Sequence, residues 1–276
     1  INIVAIGTLA LNANTTGGQN NAFGYQALTT NTTGNGNTAV GHASLYSNTT
    51  GIQNTAVGLN SLDSNTTGQY NVGIGSQALG VNTEGSQNTT IGTFSLDANT
   101  TGNNNTALGY SSLGVNTTGT QNVAVGANAL DANTTASNNI AIGFSSLSAN
   151  TTGNQNVAIG RNSLLVNQTG IYNVGVGDST LANNTGSYNV AMGQSALVAN
   201  TSGTHNVGIG NFTLDANTTG TVNTAVGASA LGANTTGGNN VALGNSALGN
   251  NTTASYNVAV GMYALLDNTT GTNNVS

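Results

Sequence analysis

The sequence predicts an all-β protein, a parallel β-solenoid (β-roll) of about sixteen coils of 17 residues each. The main observation is a tandem repeat close to Asn-Val-Ala-Ile-Gly-x-x-Ala-Leu-x-x-Asn-Thr-Thr-Gly-x-x, which runs through all 276 residues. A fixed period indicates one small unit stacked on copies of itself, because a single unit cannot bury its own apolar residues. The glycine that closes the apolar run recurs at 7, 24, 41, 58, 75, 92, 109, 126, 143, 160, 177, 193, 210, 227, 244 and 261.

Two further columns support the period. Four residues after every closing glycine stands a leucine, from Leu11 to Leu265, and three residues later an asparagine, from Asn14 to Asn268. Every step between closing glycines is 17 residues, except one step of 16 between Gly177 and Gly193. The whole chain, residues 1–276, is therefore predicted to be one continuous repeat array.

Each repeat begins with an alternating segment that predicts a short strand. In the copy that starts at Asn156, Val157 and Ile159 lie on one face, and Asn156, Ala158 and Gly160 lie on the other. Such alternation with β-branched residues is typical of a half-buried strand and not of a helix.

The rest of the repeat predicts a second strand and two corners. Leu164 follows a corner at Arg161-Asn162 and is expected in the second strand. The segment Asn167-Gln168-Thr169-Gly170, elsewhere Asn-Thr-Thr-Gly, has residues that tolerate a left-handed backbone and bond their own main chain, which indicates a turn. Coils of this kind stack at about 4.8 Å, so sixteen of them would form a rod of roughly 75 to 80 Å.

The alternation also predicts which side chains are buried. Large apolar residues recur on one face of the strand and at the leucine position, so we expect Val123, Val125 and Leu130, with their counterparts in other coils, to point inward. These would be about three large side chains per coil, which makes a thin core.

The opposite face carries a column of small residues. Ala or Gly stands at the strand centre in fifteen of the sixteen coils, with Thr90 as the exception. A flat column such as Ala124, Ala158 and Ala225 would allow another backbone to approach closely. We therefore expect three chains to pack side by side through this column as a homotrimer.

Composition excludes several classes of partner. Only 3% of the residues are charged, the formal net charge is -6, and Arg161 is the single basic residue. Such a chain cannot neutralise a phosphate backbone, so nucleic acid is not an expected partner. No run approaches 18 apolar residues and the start lacks a signal-peptide pattern, so we expect no membrane insertion by this segment. A chain without lysine and proline also suits resistance to proteolysis outside a cell.

The residues that carry most enzyme chemistry are few and scattered. His42 and His205 occupy different repeat positions, and both are expected to be solvated surface residues. An acid–base pair needs two carboxylates in one site, and calcium needs several oxygens. We therefore predict no enzyme and no catalytic, metal or cofactor site. The carboxylates are Asp63, Asp97, Asp131, Asp178, Asp215, Asp267 and Glu84.

Three of these aspartates share a column. Asp63, Asp97 and Asp131 are 34 residues apart, which places them on every second coil, about 9 to 10 Å from one another. Spacing that avoids direct repulsion is the interpretation we favour over a calcium ladder.

Asparagine and tyrosine columns leave alternatives open. Asn-x-Thr sequons would be glycan acceptors in a eukaryotic secretory protein, but the period itself demands a turn asparagine and stacked threonines, and we favour that structural reading. The tyrosines at 70, 172, 188 and 256 precede the strand asparagine, at a corner that tolerates many residues; adhesive contact is the alternative. The sequons include Asn14, Asn31, Asn48, Asn65, Asn99, Asn116 and Asn150.

One pair of opposite charges tests the register. Arg161 and Asp178 each follow a closing glycine and lie 17 residues apart, so we expect a salt bridge between adjacent coils about 4.8 Å apart. The 16-residue step follows, through the short turn Asn184-Thr185-Gly186. If this turn absorbs the deletion, four strand residues around it stay in register and point inward: Val174, Val176, Val190 and Met192.

The repeats resemble a known family. Segments such as Asn122-Val123-Ala124-Val125-Gly126-Ala127-Asn128-Ala129-Leu130 and Asn156-Val157-Ala158-Ile159-Gly160 are similar to the head repeats of YadA-type trimeric autotransporter adhesins. The resemblance implies a left-handed parallel β-roll, three chains side by side and an extracellular role in adhesion. The Asn-Thr-Thr-Gly segment makes this repeat longer than the usual one of that family. Similar repeats also occur in viral tail fibres.

Two functional classes follow. The first is a non-enzymatic, hyperstable structural protein that forms an extracellular or cell-surface fibre or adhesive tether, with a cell-surface or host ligand left unidentified. The second is an ice-binding β-solenoid with threonine ladders. The adjacent threonines, as in Thr100-Thr101, belong to a turn and would point apart, which favours the fibre. Because the chain begins and ends inside the strand motif, we expect an excerpt of a longer array, or copies that meet end to end or laterally.

Overall fold

The structure is a computed structural model that describes residues 2–276. Its contacts divide the chain into two compact units, Ile1–Asn138 and Asn139–Ser276, and each unit is described by itself. Each is a parallel β-solenoid with one three-residue strand per coil. The all-β solenoid of about sixteen 17-residue coils is thus confirmed.

The strands occur at one position of the repeat in both units. The first unit contains β1 (Val4–Ile6), β2 (Asn21–Phe23), β3 (Thr38–Val40), β4 (Thr55–Val57), β5 (Val72–Ile74), β6 (Thr89–Ile91), β7 (Thr106–Leu108) and β8 (Val123–Val125). The second unit contains β9 (Ile140–Ile142), β10 (Val157–Ile159), β11 (Val174–Val176), β12 (Val190–Met192), β13 (Val207–Ile209), β14 (Thr224–Val226), β15 (Val241–Leu243) and β16 (Val258–Val260).

Within a unit, each strand pairs in parallel with the strand one coil later, and each residue pairs with the residue at the same position of the next repeat. Thr38 pairs with Thr55, and Val157 with Val174. Backbone hydrogen bonds join neighbouring coils outside the strands as well. For example, the Leu28 N–H donates to the Ser44 carbonyl at 3.0 Å. Each coil is therefore bonded to the next around most of its circumference.

The second predicted strand does not form. Leu164 lies in a turn with a φ of +52°, and the same left-handed conformation recurs at the leucine of each coil. A left-handed backbone costs a non-glycine residue about 1–2 kcal/mol. Full burial of the leucine side chain, worth about 1.5–3 kcal/mol, offsets that cost.

The prediction of the buried face was half wrong. Leu130 is fully buried, as expected. Ala124 is also fully buried, whereas Val123 and Val125 on either side of it are only half-buried and face outward. The core of such a coil is therefore the leucine, the small residue before it, the small strand residue and two asparagines, and the large strand residues lie outside.

The interior is too narrow for the arrangement that the sequence suggested. At Gly73, which replaces the inward alanine, an added Cβ would lie 2.8 Å from Ser61 Oγ, 3.1 Å from the Ala78 carbonyl oxygen and 3.2 Å from Leu62 Cδ1. The turn leucine and the small residue before it already fill the space opposite the strand, so only a residue with at most a methyl group fits in nearly every coil.

The small-residue column is consequently not a surface. Ala124, Ala158 and Ala225 have no exposed area, and the expectation that chains pack through this column is wrong. Interior packing within one chain explains the same column of small residues.

The charge pair and the register through the short coil are confirmed. Arg161 Nε donates to Asp178 Oδ1 at 2.8 Å, and the Arg161 guanidinium donates to Asp178 Oδ2 at 3.1 Å. Val174 pairs with Val190 and Val176 with Met192 across the 16-residue step, so the turn absorbs the deletion.

The inward orientation expected for these four strand residues is wrong. Met192 is 42% exposed, and Val174, Val176 and Val190 are half-buried on the outward face. All four belong to outward columns because the strand presents its alanine side to the interior, as it does in other coils.

The closing glycine of each repeat is required by both conformation and space. Gly160 has a φ of +134°, which L side chains rarely adopt. A Cβ at this position would also collide with the backbone carbonyl of Gly177 in the next coil. The tight contact between coils at this corner therefore explains why the glycine column has no exception.

The orientation of the strand can be tested by enlarging one residue on each face. We expect Ala158→Leu to lower the free energy of unfolding by about 1–3 kcal/mol, because the added carbons overpack the interior. The matched change Ile159→Leu on the outward face should stay within about 0.5 kcal/mol. Denaturant unfolding followed by circular dichroism measures both, and a larger loss for Ile159→Leu would contradict this facing.

Candidate functional site

The surface with most potential for binding is the outer strand face of each unit, formed by the first and third residues of every strand. The third residues are Ile6, Phe23, Val40, Val57, Ile74, Ile91, Leu108 and Val125 in the first unit, and Ile142, Ile159, Val176, Met192, Ile209, Val226, Leu243 and Val260 in the second. The first residues are valine, isoleucine or threonine, with Asn21 as the exception.

This outer strand face is uncharged, mostly apolar and partly accessible, with threonine or asparagine at six of the sixteen first positions. Ile159 is 37% exposed and Ile91 is 44% exposed. The strand centre behind these side chains is fully buried, so the face is supported by a rigid, hydrogen-bonded ladder. Contiguous exposed apolar surface of this kind is typical of interaction sites.

A buried ladder of asparagines runs along the turns of each unit. Asn99 Nδ2 donates to Asn82 Oδ1 at 2.8 Å and to the Gly102 carbonyl at 3.0 Å, and Asn99 Oδ1 accepts from Asn116 Nδ2 at 2.9 Å. The invariant asparagine column is this turn ladder.

The turn ladder answers the question of the sequons. Of the seven named sequon asparagines, Asn14 is half-buried and the other six have no exposed area. Asn31 Nδ2, the atom that a glycan would occupy, donates to Asn14 Oδ1 at 2.9 Å and to the Gly34 carbonyl at 3.1 Å. A glycan at Asn31 would replace one hydrogen of this buried amide and remove at least one of these bonds, which agrees with the structural reading.

A second ladder is formed by the asparagine that precedes each strand. Asn20 Oδ1 accepts the Asn37 backbone N–H at 2.9 Å, and Asn20 Nδ2 donates to the Gly34 carbonyl at 2.8 Å. The Gly34 carbonyl also accepts from Asn31, so the two ladders meet at this oxygen. Across residues 2–276 every buried side-chain nitrogen and oxygen has a hydrogen-bond partner.

The two threonines of each turn have different environments. Thr32 Oγ1 donates to the Thr49 carbonyl of the next coil at 3.0 Å, which occupies its hydroxyl. Thr33 is exposed. The turn therefore presents one outward threonine column and not the paired columns that suit an ice lattice.

The tyrosines before the strand asparagine lie at an exposed corner, as the sequence suggested. Some of these tyrosines stack, which was not predicted from the sequence. Tyr172 and Tyr188 have ring centroids 5.3 Å apart and planes within 10° of parallel, and His205 stacks on Tyr188 at 4.9 Å. The signal was available, because residues one repeat apart lie on adjacent coils.

Two more aromatic contacts occupy the other corner of the first unit. His42 packs against Tyr25 at 5.2 Å, and Phe94 meets Tyr110 edge to face at 6.1 Å. Both histidines of the chain are exposed, as expected, but each also contacts a tyrosine ring.

The aspartate column is less solvated than expected. Burial is the main cause that raises the pKa of Asp63 above 3.8, and the negative charge of Asp97 adds to the shift. Burial likewise raises the pKa values of Asp97, Asp131 and Asp215. A Cβ on Gly80 would lie 2.8 Å from Asp97 Oδ1 and 3.6 Å from Asp63 Oδ1. The two carboxylates thus approach each other over the glycine, and a two-coil spacing does not remove their repulsion.

The described part of the chain contains none of the usual features of a small-molecule site. Between residues 2 and 276 there is no pocket, and no three His, Cys, Asp or Glu side chains lie close enough together to hold a metal ion. No helix in that range has the length and apolar character needed to cross a membrane.

The contribution of the turn ladder can be measured with one substitution. We expect Asn99→Ala to lower the free energy of unfolding by about 1–3 kcal/mol, because Asn82 Oδ1 loses its donor in a buried position. Thr101→Ala, two residues away on the exposed side of the same turn, should change it by less than about 0.5 kcal/mol. Equal effects in denaturant unfolding would show that the ladder does not contribute.

The aspartate column predicts that mild acid stabilises the first unit. Because the folded-state pKa of Asp63 lies above the ordinary value of 3.8, its stabilising contribution is fully present below that pH and is lost as the pH rises through the folded-state pKa. Thermal unfolding at stepped pH should therefore show a stability that falls with rising pH in this window. Asp63→Asn should flatten the slope, and Asp63→Asn with Asp97→Asn should flatten it further. A slope that both variants leave unchanged would contradict the assignment.

Comparison with protein-family models finds no match, and comparison with curated proteins finds no significant match either.

Proposed function

We propose that this chain is a non-enzymatic structural protein that contributes a stiff, stable segment to an extracellular or cell-surface fibre or adhesive tether. The observation that carries the proposal is the combination of the two buried asparagine ladders with the exposed outer strand face. The ladders satisfy the polar interior of each coil from the next coil, which suits a building element that must persist. The outer strand face offers a surface for lateral assembly.

The proposed partner of the outer strand face is a second and third copy of the same chain, as a homotrimer. Every coil presents a large apolar third residue, and ten of the sixteen coils also present valine or isoleucine as the first residue, so two copies in parallel match coil by coil. The face carries no charge that would oppose such contact. Association through it would bury the valines and isoleucines that a single chain leaves exposed, and the hydrophobic effect favours this by about 25 cal/mol per Å².

The proposed interface lies on the opposite side of the strand from the alanine column, through which the sequence predicted that the chains would pack. The resemblance of the strand motif to trimeric adhesin heads supports three copies, and the corner residues, which vary from coil to coil, are candidates for contact with a cell-surface or host ligand. Growth into end-to-end or lateral filaments is a further part of the proposal. Electron microscopy of the native assembly would test it through the width, symmetry and length of the particles.

Ice binding receives less support from the turn geometry. The first threonine of the turn donates its hydroxyl to the next coil in coils of both units, as Thr66 does to Thr83 at 2.9 Å and Thr218 to Thr235 at 3.1 Å. On the outer strand face the threonines are interrupted, since Thr55 is followed by Val72 in the same column. A thermal-hysteresis assay separates the two functions.

The interface can be tested with a charge placed on each side of one coil. We expect Ile159→Glu to convert the oligomer to monomer in sedimentation equilibrium, because a carboxylate would be desolvated between apolar faces. Thr152→Glu is the matched control. It places the same residue on the exposed turn, where Glu84 already stands in another coil.

Two outcomes would contradict the proposed interface. The first is a monomeric wild-type chain, and the second is an oligomer that Ile159→Glu leaves intact. Far-ultraviolet circular dichroism of both variants shows that the solenoid itself has folded.

A further inference from the structure

We propose that Tyr172 and Tyr188 form an oxidative cross-linking site, at which a haem peroxidase with hydrogen peroxide joins the two phenol rings as an intrachain dityrosine. The inference goes beyond the proposed function and does not depend on it, because both residues lie in one unit of one chain.

The geometry of the pair favours coupling between these two rings over coupling with other tyrosines. Their centroids are 5.3 Å apart, their planes are within 10° of parallel, and each residue is 45% exposed. Both side chains are accessible to an oxidant at an open corner, where rotation of the side chains can bring the ring carbons together. Tyr188 also contacts His205 on its other side.

The same repeat position supplies two isolated tyrosines for comparison. Tyr70 lies between Gln53 and Gln87 one repeat away, and Tyr256 lies between Asn239 and Asn273. Both are exposed, so they share the corner and the accessibility of the pair but have no tyrosine in the neighbouring coil at that position.

The pair also encloses the irregular coil. The segment between Tyr172 and Tyr188 includes the shortened turn Asn184-Thr185-Gly186. Here the turn ladder is stretched, since Asn184 Nδ2 lies 3.5 Å from Asn167 Oδ1, the same distance as from Asn167 Nδ2 to Asn150 Oδ1 one coil earlier. A hydrogen bond of this length is weak. A covalent bond between the rings would join the two ends of the shortened coil.

The chemistry balances without any group from the protein beyond the two phenols. Each phenol loses one electron and its hydroxyl proton to give a phenoxyl radical. The radicals join through the carbons next to the hydroxyls, and each ring regains its aromatic state as the hydrogen on that carbon moves to the oxygen. The two electrons and two protons reduce one hydrogen peroxide to two waters, so the product has lost two hydrogen atoms.

Stacking on both sides argues against Tyr188 as a carbohydrate platform. A sugar packs on the open face of an aromatic ring, whereas Tyr188 has Tyr172 on one face and His205 on the other. Tyr188 therefore presents its ring edge and hydroxyl group, which is what one-electron oxidation requires.

The experiment treats the purified full chain at low concentration with horseradish-type peroxidase and hydrogen peroxide, and follows the blue fluorescence of dityrosine. After denaturation, a protease that cleaves before aspartate separates residues 131–177 from residues 178–214, and each of these peptides contains one tyrosine. We expect the two peptides to remain joined, with the loss of two hydrogen atoms, in protein taken from the monomer band of a denaturing gel.

Matched variants make the result decisive. Tyr172→Phe and Tyr188→Phe keep an aromatic ring at the corner and should each abolish the joined peptide, whereas Tyr256→Phe should leave its yield unchanged. N-acetyltyrosine in the same mixture confirms that the oxidant is active. Cross-links found only between chains, joined peptides that contain Tyr70 or Tyr256 in equal yield, or no cross-link while N-acetyltyrosine couples would overturn the proposal.

Discussion

The contact between the turn leucine and the strand in each coil is the constraint on which the rest of the structure depends. Leu62 Cδ1 and Ser61 Oγ lie 3.2 and 2.8 Å from where a Cβ on Gly73 would be, so the inward strand position accepts little more than alanine. With the small residue inside, alternation places the valines and isoleucines outside. These short distances thus decide both the composition of the core and the existence of a largely apolar outer face.

A core of leucine and alanine contains few large apolar side chains, and the hydrogen bonds of the asparagine ladders add to the stability of the stack. Asn99 and its neighbours are fully buried and exchange hydrogen bonds from coil to coil. Each amide has its donor and its acceptor one coil away, so the desolvation that usually penalises buried polar groups is compensated along the stack. This explains how a chain with only 3% charged residues and few large apolar side chains inside builds an ordered interior.

The difference between the repeated strand and turn positions and the variable corner positions connects structure to the proposed function. The strand and turn positions repeat because every copy must fit the coils on either side. At Gly160, for example, any side chain would collide with the backbone of the next coil. The corner positions tolerate Arg161, Asp178, tyrosine or histidine, because their side chains point to solvent and contact at most the adjacent coil. We therefore assign assembly to the repeated outer strand face. Reactions or contacts specific to one coil, such as the coupling of Tyr172 and Tyr188, are assigned to the variable corners.

The sequence by itself determined the period, the strand position, the coil-to-coil register and the placement of Arg161 beside Asp178, since all of these follow from counting along a repeat. It also indicated the turn asparagines, because their column has no exception. Tertiary structure alone decided which face of the strand is inside, because alternation is symmetric between two faces and the width of the interior is set by where Leu130 enters it. The left-handed backbone at Leu164 and the pairing of the asparagine amides across coils were decided in the same way, since each depends on contacts with a neighbouring coil and not on local propensity.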